Sequence, residues 1–240
     1  NLCLVCRACE TACPSGVQFG HLMEKTRSAV YSENRPSLST RIFLKWIIPY
    51  HFFLSVLSFG LWCYQKMGGQ WLTAQTPLKY IIPSKIRQIQ QSLGKVPLKR
   101  FGKRKTQQFR AVGENRGTVA LFTGCVMDHL FAEVHKSTIR ILQWNDWDVI
   151  VPKEQVCCGA LHSHIGNAEM ARSLAEKNIR NLSDLDVDAI LVNSAGCGAQ
   201  LKNYGRISSD NGNAETFISK IRDVTEFLAP HNLKKPEKPL

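Results

Sequence analysis

The sequence predicts an α/β fold in which a short helical module precedes a parallel strand–helix layer. Three observations carry this. From Thr118 onward, short apolar runs alternate with amphipathic stretches of helical period, the rhythm of a parallel sheet with crossover helices. Hydrophobic residues make up 44% of the 240 and charged residues 21%, an ordinary globular mixture that excludes disordered and fibrous classes. Nine cysteines are unevenly placed, four of them in the first thirteen residues; so odd and clustered a count argues against a disulfide framework and for chemistry at thiolates.

The elements follow in order. Residues 1–35 begin Cys-rich, then set apolar and polar positions at helical spacing from His21 to Tyr31, until Pro36 stops the helix. Residues 41–67 are the most apolar part. Trp46 to Trp62 is 17 residues without Asp, Glu, Lys or Arg, at the short edge of the roughly 17–25 that span a bilayer. Pro49, His51, Ser55, Ser58 and Gly60 interrupt it, so a helical pair is expected, buried in the core by slight preference. The aromatics Trp46, Tyr50, Phe52, Phe53, Phe59, Trp62 and Tyr64 would equally suit a membrane interface or an apolar partner groove. Residues 77–117 have the composition of a linker, with a short helix near Ser84–Leu93.

Beyond it, Thr118–Thr123 reads as a strand, about His129–Trp144 as a helix, and Asp148–Pro152 as a second strand. Asn167–Leu182 is a helix capped by Asn167, Ala189–Asn193 a third strand, and the stretch after Glu215 a last helix. The expected division is 1–35, 36–117 and 118–240. A chain that opens at Asn1 rather than Met, with a cysteine motif at residue 3, is expected to be a piece of a longer one.

Lys and Arg number 31 against 19 Asp and Glu, a formal charge of +12. Nine of the basic residues (Lys85, Arg87, Lys95, Lys99, Arg100, Lys103, Arg104, Lys105 and Arg110) fall in one stretch without an acid. A solvated linker is the ordinary expectation and docking to an anionic surface the alternative. No nucleic-acid module accompanies the charge, so no nucleic-acid partner is expected.

Cys3, Cys6, Cys9 and Cys13, followed by Pro14, have the spacing C-x2-C-x2-C-x3-C-P. Two-residue gaps let a short loop wrap three thiolates around one [4Fe–4S] cube, while the fourth cysteine, as in two-cluster ferredoxins, serves the other cluster. Cys13 is therefore expected to serve a partner cluster whose own motif is not in this sequence; a zinc site is the alternative. The module is expected to be helical and ferredoxin-like.

Cys125, Cys157, Cys158 and Cys197 each follow a predicted strand. Parallel strands end on one edge, where α/β ligand sites form. The 31 residues between Cys125 and Cys157 and the 38 between Cys158 and Cys197 rule out a local knuckle, so the sheet must bring the thiols together. Glycines at the same turns permit close backbone approach. The neighbours Cys157 and Cys158 favour a metal over a vicinal disulfide.

With these residues in place the chain resembles a known family. Cys125, the Cys157-Cys158-Gly159 triplet and Cys197 are similar to the cysteine-rich CCG domain of heterodisulfide reductase subunits and related electron-transfer proteins. The segments CRACETACPSGV, CCGALHSHIGNAE and NSAGCGAQLKNYG together most resemble glycolate oxidase (glycolate dehydrogenase) iron–sulfur subunits. The resemblance implies a Rossmann-like CCG domain and 4Fe–4S clusters, with no catalytic residue in this chain. It implies passage of single electrons from a flavin-containing dehydrogenase subunit, which oxidises glycolate to glyoxylate, toward a membrane or quinone acceptor. It also implies a cytoplasmic protein held peripherally at the inner face of the cell membrane. Family members usually carry two ferredoxin motifs and two CCG domains; one of each is present here. The family's C-x2-C pattern would place a cysteine where Ser194 stands, which puts a five-thiolate cluster in doubt. Four thiolates suit a second Fe–S cluster or a Zn²⁺ ion.

Lactate-utilisation, anaerobic glycerol-3-phosphate dehydrogenase and heterodisulfide reductase subunits share the same parts, and a zinc-stabilised interaction scaffold is the reading from another class. His162 and His164 are expected to be satisfied loop histidines. A Cys158–His162 nucleophile would make a hydrolase, against the three other cysteines at that edge. Cys63 is expected to be buried and inert, and Asp128, Glu133 and Lys202 to be helix-face charges. No G-x-G-x-x-G or phosphate loop occurs, so no FAD or NAD of its own is expected.

Overall fold

Short β-rich runs separated by amphipathic helices form a five-stranded sheet in the computed structural model, which describes residues 3, 5–75, 84–92, 94–98, 100–102, 105–209 and 211–235. The strands are β1 (Gln107–Phe109), β2 (Gly117–Phe122), β3 (Trp147–Val151), β4 (Ala189–Val192) and β5 (Ile221–Asp223), in the order β1-β3-β2-β4-β5. β2 to β5 are parallel, with Val119 opposite both Val149 and Ala189 and Ile190 opposite Ile221. The chain leaves β2 toward β3 and returns to place β4 on its other side, so the order reverses at β2, the place where open parallel sheets hold ligands.

Both faces of the sheet are covered, which is why its strands read as continuous apolar runs rather than alternating ones. Ala120, Phe122, Ile190 and Val192 pack against Ile179, Leu182, Tyr204 and Phe217. Val119, Leu121, Val149 and Leu191 pack against Ile139, Leu142, Trp147 and Leu228. The Asn167 side chain caps helix Ala168–Leu182 by accepting from Met170 N.

Several expectations shift. The sheet begins inside the stretch read as linker: β1 pairs antiparallel with β3, Gln107 opposite Val151. β1 and β5 are three residues each, too short to show a period. The helix expected from His129 starts at Val126, ends at Leu130 and resumes as Ala132–Trp144. The last helix comes earlier, Asn211–Lys220, and leads into β5 and a further helix, Val224–Leu228. The linker helix is Ser84–Ser92. Lys99, Lys103, Arg104 and residues 236–240 of the tail lie outside the described residues. Arg100 and Arg110 are not idle charges, for they pair with Asp128 and Asp148.

The apolar segment departs furthest from a buried core. Helix Leu38–Ile42, capped by Ser37, widens over Phe43–Ile47, where Ile48 N donates to Phe43 O, five residues back. Pro49 ends it, and helix His51–Lys66 leaves at 107°. Only Leu44, Ile48, Leu54 and Ser58 are buried, a stripe that packs beside Cys125, Cys157 and Leu174. Trp46, Phe52, Phe53, Val56, Leu57 and Phe59 are exposed, Phe52 by 70%. One narrow stripe meets the sheet unit, and the opposite face is exposed at Phe52, Val56 and Phe59. Cys63 is half-buried rather than buried. Among the described residues no single helix is long and apolar enough to cross a membrane, though this bent pair has the length and composition to do so together.

Candidate metal centres

Each of the second set of cysteines is delivered by the carboxyl end of a strand. β2 runs out at Thr123, whose N–H and hydroxyl both donate to Gln155 Oε1 (2.7 and 3.2 Å). Gly124 follows with φ 70°, turning the chain so that Cys125 opens helix Val126–Leu130. β3 leads to Cys157 and Cys158, and Gly159 (φ 82°) starts helix Ala160–Ile165. β4 leads to helix Ala195–Lys202, which carries Cys197 in its first turn.

The quartet meets as expected. Cys125 Sγ lies 3.4 Å from Cys157 Sγ, and Cys158 Sγ 3.2 Å from Cys197 Sγ. Cys125, Cys157 and Cys158 are buried and Cys197 half-buried. The thiols shift one another in opposite directions. Hydrogen bonds to Cys157 hold the Cys125 and Cys158 thiols up, with burial acting the same way. Cys157 is pulled down by the thiols of Cys125 and Cys158, and Cys197 by Cys158 and, after burial's opposing effect, by the Ser194 hydroxyl. Gly159 N–H also points at Cys157 Sγ (3.5 Å). The residue standing where the family pattern has a further cysteine thus hydrogen-bonds the last thiolate.

A buried network fixes the Cys157–Cys158 turn. Asn178 accepts from Val156 N (2.9 Å) and donates to Cys157 O (3.2 Å) and to Tyr204 Oη (3.0 Å), while Tyr204 donates to Cys158 O (2.9 Å). His135 donates from Nε2 to Thr123 O (3.1 Å) and accepts at Nδ1 from Asn193 (3.1 Å), holding the Cys125 turn. Sequence reasoning gave these four residues no role: Asn193 and Tyr204 lie within the segment NSAGCGAQLKNYG, where the cysteine drew the attention, and Asn178 and His135 sit on helices outside any motif.

The N-terminal cysteines are arranged differently. Cys6 and Cys9 are exposed and Cys3 and Cys13 half-buried. Val5 and Arg7 take positive φ (55° and 59°), uncommon for residues with side chains and costly for a β-branched one. Val5 N donates to Cys3 Sγ (3.4 Å). The amides of Val17, Ser15 and Gly16 hold the Cys13 thiol below its usual range.

Neither set is preset around a single ion. A tetrahedral Zn²⁺ with Zn–S bonds of about 2.3 Å holds every pair of its sulfurs about 3.8 Å apart. Among the described residues, no three cysteine sulfurs lie within 4.8 Å of one another. By donor chemistry four thiolates suit an Fe–S cluster or a Zn²⁺ ion, and either would part the touching sulfur pairs.

The two sets are tied together. Arg27 donates from Nη2 to Cys3 O (2.5 Å) and from Nη1 to His164 O (2.6 Å). A cavity of about 260 Å³ lies between them, lined by Val5, Cys6, Arg7, His164, Gly196 and Gln200 among others. His164 Nδ1 faces Glu24 (3.5 Å), and His162 donates from Nε2 to Leu44 O (2.9 Å), anchoring the apolar segment rather than activating Cys158. Glu133 and Lys202 pair at the surface with Lys136 and Glu226, whereas Asp128 is fully buried, against expectation.

Comparison with known proteins matches these parts. A cysteine-rich domain model, CCG, covers residues 119–202, and the linker region of glycolate oxidase iron–sulfur subunits covers residues 36–93. The "Probable glycolate oxidase iron-sulfur subunit" of Bacillus subtilis (strain 168) is 33% identical over 236 residues, 95% of this chain and 53% of that protein. The "Glycolate oxidase iron-sulfur subunit" of Escherichia coli (strain K12) is 27% identical over 94% of this chain and 50% of its own length. "Lactate utilization protein A" of Exiguobacterium is 29% identical over 114 residues, 46% of each chain. The chain spans about half the length of the glycolate oxidase relatives. No solved structure matches.

Proposed function

For a chain homologous along nearly its whole length to glycolate oxidase iron–sulfur subunits, we infer an electron-relay role in a complex that oxidises a 2-hydroxy acid, glycolate first. The carrying observation is that Arg27 bridges Cys3 O of the first set and His164 O, six residues past Cys158 of the second, although the sets are 112 residues apart at Cys13 and Cys125. Iron–sulfur clusters bound by Cys3, Cys6, Cys9 and Cys13, and by Cys125, Cys157, Cys158 and Cys197, would supply reversible one-electron storage, with potentials set by charge, hydrogen bonds to sulfur and exposure.

The chain's own residues tune those sites. Amides 15–17 favour the Cys13 thiolate, and Gly159 N–H and the Ser194 hydroxyl favour those of Cys157 and Cys197. Burial keeps water from the second set, while the exposed first set can face a donor. A flavin-containing partner would deliver electrons singly from the two-electron oxidation of glycolate to glyoxylate. The exposed aromatic face of helix His51–Lys66, with Arg41 and Lys45 beside it, suits docking to the inner face of the cytoplasmic membrane, where a quinone would take the electrons. The division at 1–35, 36–117 and 118–240 then assigns relay, docking and relay, with β1 drawing the third part back to Gln107.

The match to lactate utilization protein A supports a second reading, lactate in place of glycolate. A zinc-stabilised scaffold is the reading from another class, and metal content separates it from the relay. Iron, sulfide and EPR measurements on anaerobically purified chain, co-expressed with its flavin partner, test the relay. Reduced 4Fe–4S signals that appear on adding glycolate are expected. Colourless protein with stoichiometric zinc and no iron would end the proposal.

A further inference from the structure

Two buried polar side chains just past Cys125 have no part in the cysteine sites: Asp128 (0% exposed) and His129 (2%). His51, at the start of helix His51–Lys66, reaches both. Its Nδ1 stands 3.4 Å from His129 Nε2 and 3.6 Å from Asp128 Oδ2. The three candidate ligand atoms all lie within 4.8 Å of one another. A tetrahedral ion with bonds of about 2.0–2.2 Å to nitrogen and oxygen spaces its ligands about 3.3–3.6 Å apart.

We propose that His51 Nδ1, His129 Nε2 and Asp128 Oδ2 form a site for a divalent transition-metal ion of the Zn²⁺ class, latching the apolar helix to the sheet edge beside Cys125. No cysteine takes part, so the site stands or falls separately from the electron relay.

Outer contacts aim each ligand. Ser58 donates its hydroxyl proton to Leu54 O (2.8 Å), which leaves its oxygen to accept from His129 Nδ1–H (3.4 Å). That sets the His129 tautomer with the Nε2 lone pair toward His51, the arrangement metal-bound imidazoles use. Gly102 N holds Asp128 Oδ1 (2.5 Å), leaving Oδ2 facing His51. Burial depresses both imidazoles to about 4, so each is neutral near pH 7, as a ligand must be. Without metal, His51 Nδ1–H donates to His129 Nε2; when the ion binds, His51 changes tautomer, its proton moving from Nδ1 to Nε2, so that Nδ1 is free to ligate and no net proton is released. Arg100 Nη1 lies 3.3 Å from Asp128 Oδ2. A carboxylate oxygen has two lone pairs, so both can be served, but the guanidinium charge opposes a cation.

The opposition makes the site testable. Full chain purified anaerobically is dialysed against Zn²⁺, and zinc, iron and sulfide are measured together. One equivalent of zinc with iron unchanged is expected. His51→Gln, losing a ligand, should weaken binding by more than the roughly 10–100-fold that an outer-shell partner costs, and Ser58→Ala by about 10-fold. Arg100→Gln should bind several-fold tighter while folding as before. Zinc uptake that is equal in the native chain and His51→Gln, that displaces iron, or that is no tighter in Arg100→Gln overturns the site.

Discussion

Cys6 and Cys9 sit exposed in a sequence span of eleven residues that holds its whole motif, Cys9 in the short helix Ala8–Thr11, whereas Cys125, Cys157 and Cys158 are buried at the ends of strands and share their site with a residue 72 positions from the first. The first set is made by local spacing and a backbone with two positive φ angles; the second exists only once β2, β3 and β4 are in register. A locally made site can be lost without the domain. A site made by the sheet cannot, because its ligands, its turn glycines and the Asn178–Tyr204 network belong to the core.

The sharpest way to break this contrast is a pair of substitutions. Cys157→Ser should remove the iron of the buried site and lower the anaerobic thermal midpoint, since a hydroxyl replaces a buried ligand among three thiols. Cys9→Ser should remove iron from the N-terminal site and leave the midpoint in place. Equal falls in both, measured by iron content and calorimetry, would erase the distinction.

Next in size is Asn178→Ala, which strips partners from Val156 N–H, Cys157 O and the Tyr204 hydroxyl at once. A cost of about 3 kcal/mol is expected, a fall of roughly 10 °C at about 3 °C per kcal/mol. A midpoint unchanged in this variant would show that the turn does not depend on the network.

The last effect is in pH, and it reaches a size like that of Asn178→Ala only at the acid end of its range. Burial holds His135 down at about 4, against the Thr123 carbonyl, which pulls the other way. The unfolded imidazole titrates near 6.5, so between those values the unfolded chain binds more protons. Stability from this group is therefore complete above pH 6.5 and is lost as pH falls toward 4, by up to about 3 kcal/mol. Denaturant melts across that range should show the loss in the native chain and a flatter profile in His135→Gln.

The strand–helix rhythm after Thr118 was legible because both faces of the sheet are buried, so β2, β3 and β4 appear as apolar runs. β1 and β5 were not, because Gln107–Phe109 and Ile221–Asp223 are recognised by their partner strands rather than by any period of their own. The exposed aromatics of His51–Lys66 were equally illegible: composition says that a segment is apolar, but contact decides which face is covered. The sequence placed Cys125, Cys157, Cys158 and Cys197 at strand ends, but which sulfur touches which, Cys125 with Cys157 and Cys158 with Cys197, is settled only by the fold.

What the sequence determined by itself was everything written at short range: the C-x2-C-x2-C-x3-C-P loop, the Asn167 cap, the apolar runs and the glycines that let Cys125 and Cys158 turn. What only the tertiary structure decided was written between distant residues: Arg27 bridging the carbonyls of Cys3 and His164, Asn178 under the Cys157 turn, and His51 brought against Asp128 and His129. Local spacing acts through covalent geometry and is visible in one dimension. Burial and hydrogen bonding between residues such as His51 and His129, 78 positions apart, come into being only when the chain closes on itself.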